Sequence, residues 1–275
     1  MPYRAGQEIN TGEAGISEWI RALKTRFTAW EVHVSPRIGL AEYNPSTDIS
    51  SFLALSRVHT DENLHLAVSL RSFRAEAVSN FVGDILDNDP VRAQQTYASI
   101  RATYPMYITR DLSQARRWLV QRARGTERFG LVASSGAMRL RPEGIHIKAE
   151  IDPPNWFLND KSDIRSCFYL EDVASEFVVQ GLELDWVGVC WDADLHHSGQ
   201  RWVSQSFKGT KWQAVSDENR QIYLKNAYRV LLTRARQGMV IFVPHANPSD
   251  ATRPPAFYDH TFYFLRSCGI EPIPH

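Results

Sequence analysis

The stretch LKNAYRVLLTRARQGMVIFVP, Leu224 to Pro244, sets Arg229, Arg234 and Arg236 in an otherwise apolar run that ends in a strand. A guanidinium is planar and permanently charged, and it binds phosphate oxygens through paired hydrogen bonds. An arginine at such a junction therefore suits phosphoryl chemistry. It also suits a plainer task, since a cation at a helix end complements the macrodipole, and Arg234 alone does not separate the two. Ahead of it, EFVVQGLELDWVGVCWDADL has Gly181 at a strand-to-turn junction, then Glu183 and Asp185 before an apolar strand. A carboxylate after a tight turn can accept hydrogen bonds from a ribose or order a nearby arginine, although a glycine loop before a strand is most often only a turn. SLRSFRAE adds Arg71 and Arg74 at helical spacing, and AGQEIN adds the loop glutamine Gln7. Taken singly, these read as a solvated charged face and a polar turn.

Other signals are weaker. From Arg101 to Lys148 ten basic residues stand against three acidic ones, which marks either a phosphate-binding face or a solvated helix flank. In QARRWLVQRAR, Trp118 and Leu119 supply the core side. The loop SSGAMRLRPEG, with Arg139 and Arg141, follows the strand FGLVA and is the better candidate for nucleic acid. DADLHHSG gathers Asp192, Asp194, His196 and His197, but adjacent histidines point apart on most backbones, so a surface loop is expected and no metal. Trp156, Trp186, Trp191, Trp202 and Trp212 could stack on bases or simply fill the core. There is no G-x-S-x-G and no local Cys–His signature of a nucleophile.

The elements that position these residues follow from periodicity. Ile16, Trp19, Ile20 and Leu23 predict a helix, and WEVHVSP a short strand stopped by Pro36. GLAEYNPSTDISSF is turn-rich and reads as a linker, which puts a domain boundary near residue 55. A helix then ends at Asn88 and Pro90. Beyond it come a strand at MYIT, a helix over DLSQARRWLVQRAR, strands at FGLVAS, EFVV and WVGVCW, a helix over DENRQIYLKNAYRVLLTRA and a strand at MVIFVP. Short apolar runs separated by helices predict an α/β fold with a mainly parallel sheet covered on both faces. Ligands of such sheets bind beyond the carboxyl ends of the strands.

The chain has 275 residues, 43% of them hydrophobic, enough for a substantial core. Its 31 basic and 31 acidic residues cancel, so any nucleic-acid surface must be a local patch. Cys167, Cys190 and Cys268 are scattered and odd in number, which fits free thiols in a reducing compartment. No apolar run reaches membrane-spanning length, and a cytoplasmic protein without membrane contact is expected.

In their order and spacing the chemical pieces resemble the second half of a superfamily 1 helicase-type NTPase. More narrowly, they resemble the helicase-like family grouped with the helicase parts of Schlafen proteins. GQEINTGEAG is similar to motif III, SFRAE to motif IV, ASEFVVQGLELD to motif V and NAYRVLLTRAR to motif VI, and SDATRPPAFYDHTFYFL also has the family's look. The resemblance implies a RecA-like second lobe over residues 56–275, preceded by the tail of a first lobe and a linker over 1–55. It implies that Gln7 senses a γ-phosphate, and that Arg74 and Arg234 reach that phosphate, Arg234 as an arginine finger. Glu183, with Gln180 and Gly181 of the same turn, would meet nucleotide ribose or phosphate. Arg229 would either join them or make a salt bridge within the lobe. Ser175 would bond a phosphate of single-stranded DNA or RNA.

A motor of this class needs G-x-x-x-x-G-K-[ST] to cradle phosphates and an acidic motif for Mg²⁺. No glycine in this sequence is followed by lysine, and nothing before Gly6 leaves room for the acidic strand. The chain alone is therefore expected to bind neither ATP nor Mg²⁺ and not to hydrolyse ATP efficiently. It would be a truncated product, or take its P-loop lobe from another polypeptide. The alternatives are a single-strand-binding module without catalysis and a fragment with no activity of its own.

Overall fold

A computed structural model of the chain describes residues 16–39, 49–64 and 73–274. The chain divides into two compact units, Met1–Leu70 and Arg71–His275. In the first, helix α1 (Ile16–Thr25), strand β1 (Val32–Val34), helix α2 (Ile49–Leu53) and strand β2 (Val58–Thr60) follow in order. β1 and β2 pair in parallel, Val32 opposite Val58. Ile20, Ile49, Phe52 and Val58 form the core between them, with Leu23, Val32 and Val34 packed alongside. The spacing that predicts α1 thus buries Ile20 and leaves Trp19 exposed.

Two expectations change here. The turn-rich stretch is not all linker: Ile49 and Phe52 are buried, so α2 belongs to the core, while residues 40–48 lie outside the described ones. The division expected near residue 55 falls inside the first unit, because β2 beyond it pairs with β1.

The second unit is built on a six-stranded parallel sheet, which makes the fold α/β as expected. Its strands are β3 (Met106–Thr109), β4 (Phe129–Ala133), β5 (Val173–Ala174), β6 (Leu184–Cys190), β10 (Ala235–Phe242) and β11 (Glu271–Pro272). Their spatial order is β11-β3-β10-β6-β4-β5. Helix α5 (Leu112–Arg122) covers one face, where Trp118 and Leu119 meet Leu131, Trp186 and Val240. The alternate positions Val132, Val187, Val189, Met239 and Ile241 are equally buried, so the opposite face is covered too.

Helices start where aspartates supply caps. Asp89 accepts from the Arg92 amide ahead of helix α4 (Pro90–Ile100), Asp111 from Ser113 ahead of α5, and Asp217 from Arg220 ahead of helix α8 (Glu218–Leu232). Asn88, at φ +65°, ends helix α3 (Phe73–Leu86) and Pro90 opens α4, which periodicity alone did not mark. The EFVV segment, expected as a strand, is the short helix α7 (Glu176–Val179), and the strand there is β5 just before it. Helix α6 (Pro153–Leu158), helix α9 (Pro255–Ser267) and an antiparallel sheet of β7 (Leu195–His197), β8 (Trp202–Lys208) and β9 (Lys211–Ala214) complete the unit.

β10 and β6 pair over nearly their full length, with an irregularity between Ala235 and Gly238. At Gly238 the backbone passes so close to β3 that an added Cβ would lie 2.5 Å from the Pro105 carbonyl oxygen and 2.8 Å from the Trp186 ring. Neither neighbour yields easily. The Pro105 oxygen accepts the Met239 amide at 3.1 Å, and the Trp186 indole donates to Glu127 at 3.0 Å. Gly238→Ala is expected to destabilise the protein by about 1–3 kcal/mol, read as a lower urea midpoint at unchanged slope. An unchanged midpoint would show that the strands do not approach this closely.

Candidate functional site

The residues singled out by sequence gather at two opposite edges of the parallel sheet. At the amino edge, the turn Gln180–Glu183 leads into β6 and Arg234 leads into β10, its neighbour in the sheet. Gly181 has φ +90° with open space around it, so glycine is required there by backbone conformation and not by crowding. Gln180 and Gly181 are exposed, and Glu183 is half-buried.

Arg234 does not sit in the last turn of α8. It follows the C-cap Thr233, at the helix–strand junction, and is only 2% exposed. Its Nε donates to the Val230 carbonyl at 2.9 Å, a guanidinium nitrogen donates to the Leu182 carbonyl at 3.3 Å, and another donates to Thr233 Oγ1 at 3.2 Å. The backbone repeats the link, for the Leu184 amide donates to the Arg234 carbonyl at 3.0 Å. Arg234 thus adds a third donor to the Val230 carbonyl, which also accepts from the Thr233 amide and hydroxyl, and it ties the end of α8 to the Gly181 turn. Arg229 lies in the last turn of α8 and is half-buried, and its Nε has no hydrogen-bond partner among the described residues. Arg236 approaches Asp185 only to 4.0 Å. Gln7 lies outside the described residues, as does the side chain of Arg74, whose backbone is in the first turn of α3.

At the carboxyl edge, loops follow β4, β5 and β6. Ser175 is the N-cap of α7, with its hydroxyl making no cap bond. Glu176, 3% exposed, accepts from the Ser135 amide and from its hydroxyl, each at 2.7 Å, and so fixes the loop after β4 beside Ser175. Arg139 and Arg141 of that loop differ. The Arg139 guanidinium is paired with Asp250 at 2.8 Å and lies over the Phe207 ring, while Arg141 is exposed, with no ion pair among the described residues.

Sequence patterning missed the largest polar feature. Asp192, Asp194, His196 and His197, expected on a surface loop, are all buried beyond β6. Asp192 accepts from the Tyr258 hydroxyl at 2.7 Å and from the Arg139 amide at 2.7 Å. Asp194 accepts from the Tyr228 hydroxyl at 2.6 Å, and its other oxygen, Oδ2, is buried with no partner among the described residues. Burial, and then the neighbouring Asp192 charge, push the Asp194 carboxyl up to about 7. His197 stacks on Phe264 at 4.0 Å, and burial pushes it down to about 4, so it is neutral near pH 7. The described residues hold no cluster of three or more metal-ligating side chains. The only sequence sign of this network was a pair of aspartates directly after a strand.

The arrangement sorts chemically into a guanidinium set at one edge and a carboxylate–hydroxyl network at the other. The amino edge offers donors suited to one side of a triphosphate.

The raised Asp194 carboxyl fixes a sign. Its folded value lies above the ordinary 3.8, so its contribution to stability is complete below about 3.8 and is lost as pH rises through about 7. Relative to wild type, Asp194→Asn is expected to gain roughly 1 kcal/mol or more between pH 4 and pH 8, since each tenfold change in proton affinity on folding is worth about 1.4 kcal/mol. Comparing the melting of both proteins across that range isolates Asp194 from His197, which titrates with the opposite sign. Parallel curves would refute the assignment.

Comparison with known families gives one result that covers most of the chain: the model described as Schlafen group 3, DNA/RNA helicase domain, matches residues 3–245. No curated protein matches. The match spans both units and takes in both edges of the sheet, from the Ser175 loop to the Arg234 junction. The chain belongs to the family of Schlafen group 3 DNA/RNA helicase domains.

Proposed function

We propose that this chain acts as the RecA-like second lobe of a nucleic-acid-dependent ATPase of superfamily 1 type. It supplies arginines to an ATP that a P-loop lobe outside this sequence holds with Mg²⁺. One observation carries the reading. The Gly181 turn and Arg234, 52 residues apart in sequence, are joined at the starts of neighbouring strands by the Leu182–Arg234 contact. A turn with a carboxylate and a guanidinium at one point is what a γ-phosphate and its ribose would use. The contacts of Arg234 at 3.2 and 3.3 Å are long for N–H···O bonds to neutral acceptors. A phosphate oxygen, charged and able to take paired bonds, would compete well for the same donors. Arg74 and Gln7 would complete the set, and Arg229 would bring its buried Nε.

On this reading single-stranded nucleic acid runs along the carboxyl edge. Arg141 and Ser175 would meet phosphates directly. Arg139, held by Asp250, would shape the loop that carries Arg141. The cytoplasm is the proposed setting, in keeping with three buried thiols and no disulfide. Among the described residues, no helix is long and apolar enough to cross a membrane.

A second reading has an observation of its own. The described donors of Arg234 already serve carbonyls and a hydroxyl, as they would in a binding module that keeps the fold without catalysis. Such a module would bind single strands in a salt-sensitive way with no dependence on nucleotide.

The two separate in one assay, in which the chain is mixed with a P-loop lobe of the same family and ATP turnover is followed with and without single strands. Arginine fingers contribute on the order of 10³-fold or more to turnover, so Arg234→Ala should nearly abolish stimulated hydrolysis, and Arg234→Lys should restore little of it. Melting of each variant separates this loss from the stability that Arg234 gives by tying α8 to the Gly181 turn. Equal rates for wild type and Arg234→Ala would remove the finger and leave the binding module.

A further inference from the structure

The first unit carries a surface that the proposed ATPase and strand-binding edges do not use. After α1 the chain turns through residues 26–31 into β1, and Arg57 pins that turn. Its guanidinium donates to the carbonyls of Leu23 at 2.7 Å, Trp30 at 3.0 Å and Phe27 at 3.4 Å. These include a carbonyl that the end of α1 leaves open. With its backbone held this way, the turn presents two rings outward. Trp30 is 57% exposed and Phe27 40%, and their centroids lie 4.9 Å apart. Trp19, on α1, is also 57% exposed.

Between these rings the chain carries basic residues only, with Glu18 and Glu31 just outside the segment. From Trp19 to Trp30 the charged residues are Arg21, Lys24 and Arg26, with no carboxylate among them. The next residue, Glu31, is held by His59 at 2.7 Å. Exposed flat rings with Arg21, Lys24 and Arg26 between them suit a flexible polyanion that itself carries flat faces. Bases stack on the rings regardless of sequence, and phosphates meet the cations.

We propose that the turn between α1 and β1, with Trp30 and Phe27 at its centre and Arg26 and Lys24 beside them, is a stacking platform for single-stranded nucleic acid. It lies in a different unit from the Ser175 and Arg141 loops, and it rests on the reading that this chain binds single strands at all.

The test is a fluorescence-anisotropy titration of labelled oligo-dT and oligo-rU with the whole chain, as wild type, Trp30→Ala, Trp30→Phe and Arg26→Ala, at several salt concentrations. Loss of one stacked base should weaken binding by Trp30→Ala by about 5- to 150-fold. Trp30→Phe, which keeps a flat ring, should recover most of that loss. Arg26→Ala should lower the log–log salt slope by about 1. Because Trp30 is exposed, the melting temperature should not move. Loss with only one of the two oligomers identifies DNA or RNA as the preferred strand and supports the platform. Equal affinities for wild type and Trp30→Ala would overturn the platform and leave the nucleic-acid reading standing, whereas no binding by wild type at low salt would overturn both. A concentration-dependent oligomer that Trp30→Ala dissolves, with binding unchanged, would assign the surface to a second copy of the chain and overturn the proposal.

Discussion

Nearly everything in the larger unit depends on the parallel pairing of β6 with β10 at the middle of the sheet. The pair is buried on both faces, and its register sets what stands at either end. At one end the register puts the Gly181 turn beside Arg234. At the other it puts Asp192 and Asp194 under Tyr228 and Tyr258. A slip of one residue would turn the side chains of a strand to the opposite face, so both ends would be lost together. Gly238 helps to fix this arrangement, since only a residue without a Cβ lets β10 pass the Pro105 carbonyl and the Trp186 ring.

The two ends use polar groups in different ways. At the amino edge the Arg234 guanidinium bonds backbone carbonyls and a hydroxyl. At the carboxyl edge, buried carboxylates are satisfied by tyrosine hydroxyls and backbone amides, and an Asp194 oxygen with no partner among the described residues is left inside. A buried carboxylate in that state is costly, which is why its proton is held up to about 7. The second edge holds its loops still. Glu176 extends that stillness to the loop after β4 by accepting both the amide and the hydroxyl of Ser135.

The small unit follows the same logic with fewer residues. Arg57 spends its guanidinium on three carbonyls, and the turn so fixed carries two large rings in solvent. A cation used inside for shape lets aromatic groups remain outside for contact.

The sequence by itself determined the fold class and the places of the glycine and arginine junctions. Short apolar runs between helical periods specify a parallel sheet, because strands covered on both faces need apolar residues at every position. The glycine before β6 and the arginine before β10 were also legible, as was the Schlafen-type family that the match over residues 3–245 bears out. Tertiary structure alone decided the rest. EFVV has the composition of a strand, but β5 ends at Ala174 and a single turn of helix forms in its place, with Ser175 at the N-cap position. DADLHHSG reads as surface because charged residues usually are. Its burial is possible only because Tyr228, Tyr258 and Asn88, far away in sequence, bring the hydrogen bonds that replace water. Arg139 and Arg141 are equivalent in sequence and different in space, since Asp250 reaches one of them and not the other. Local patterns record what a residue prefers. Whether its charge or hydrogen bond is met by water or by a partner is settled only when distant segments come together.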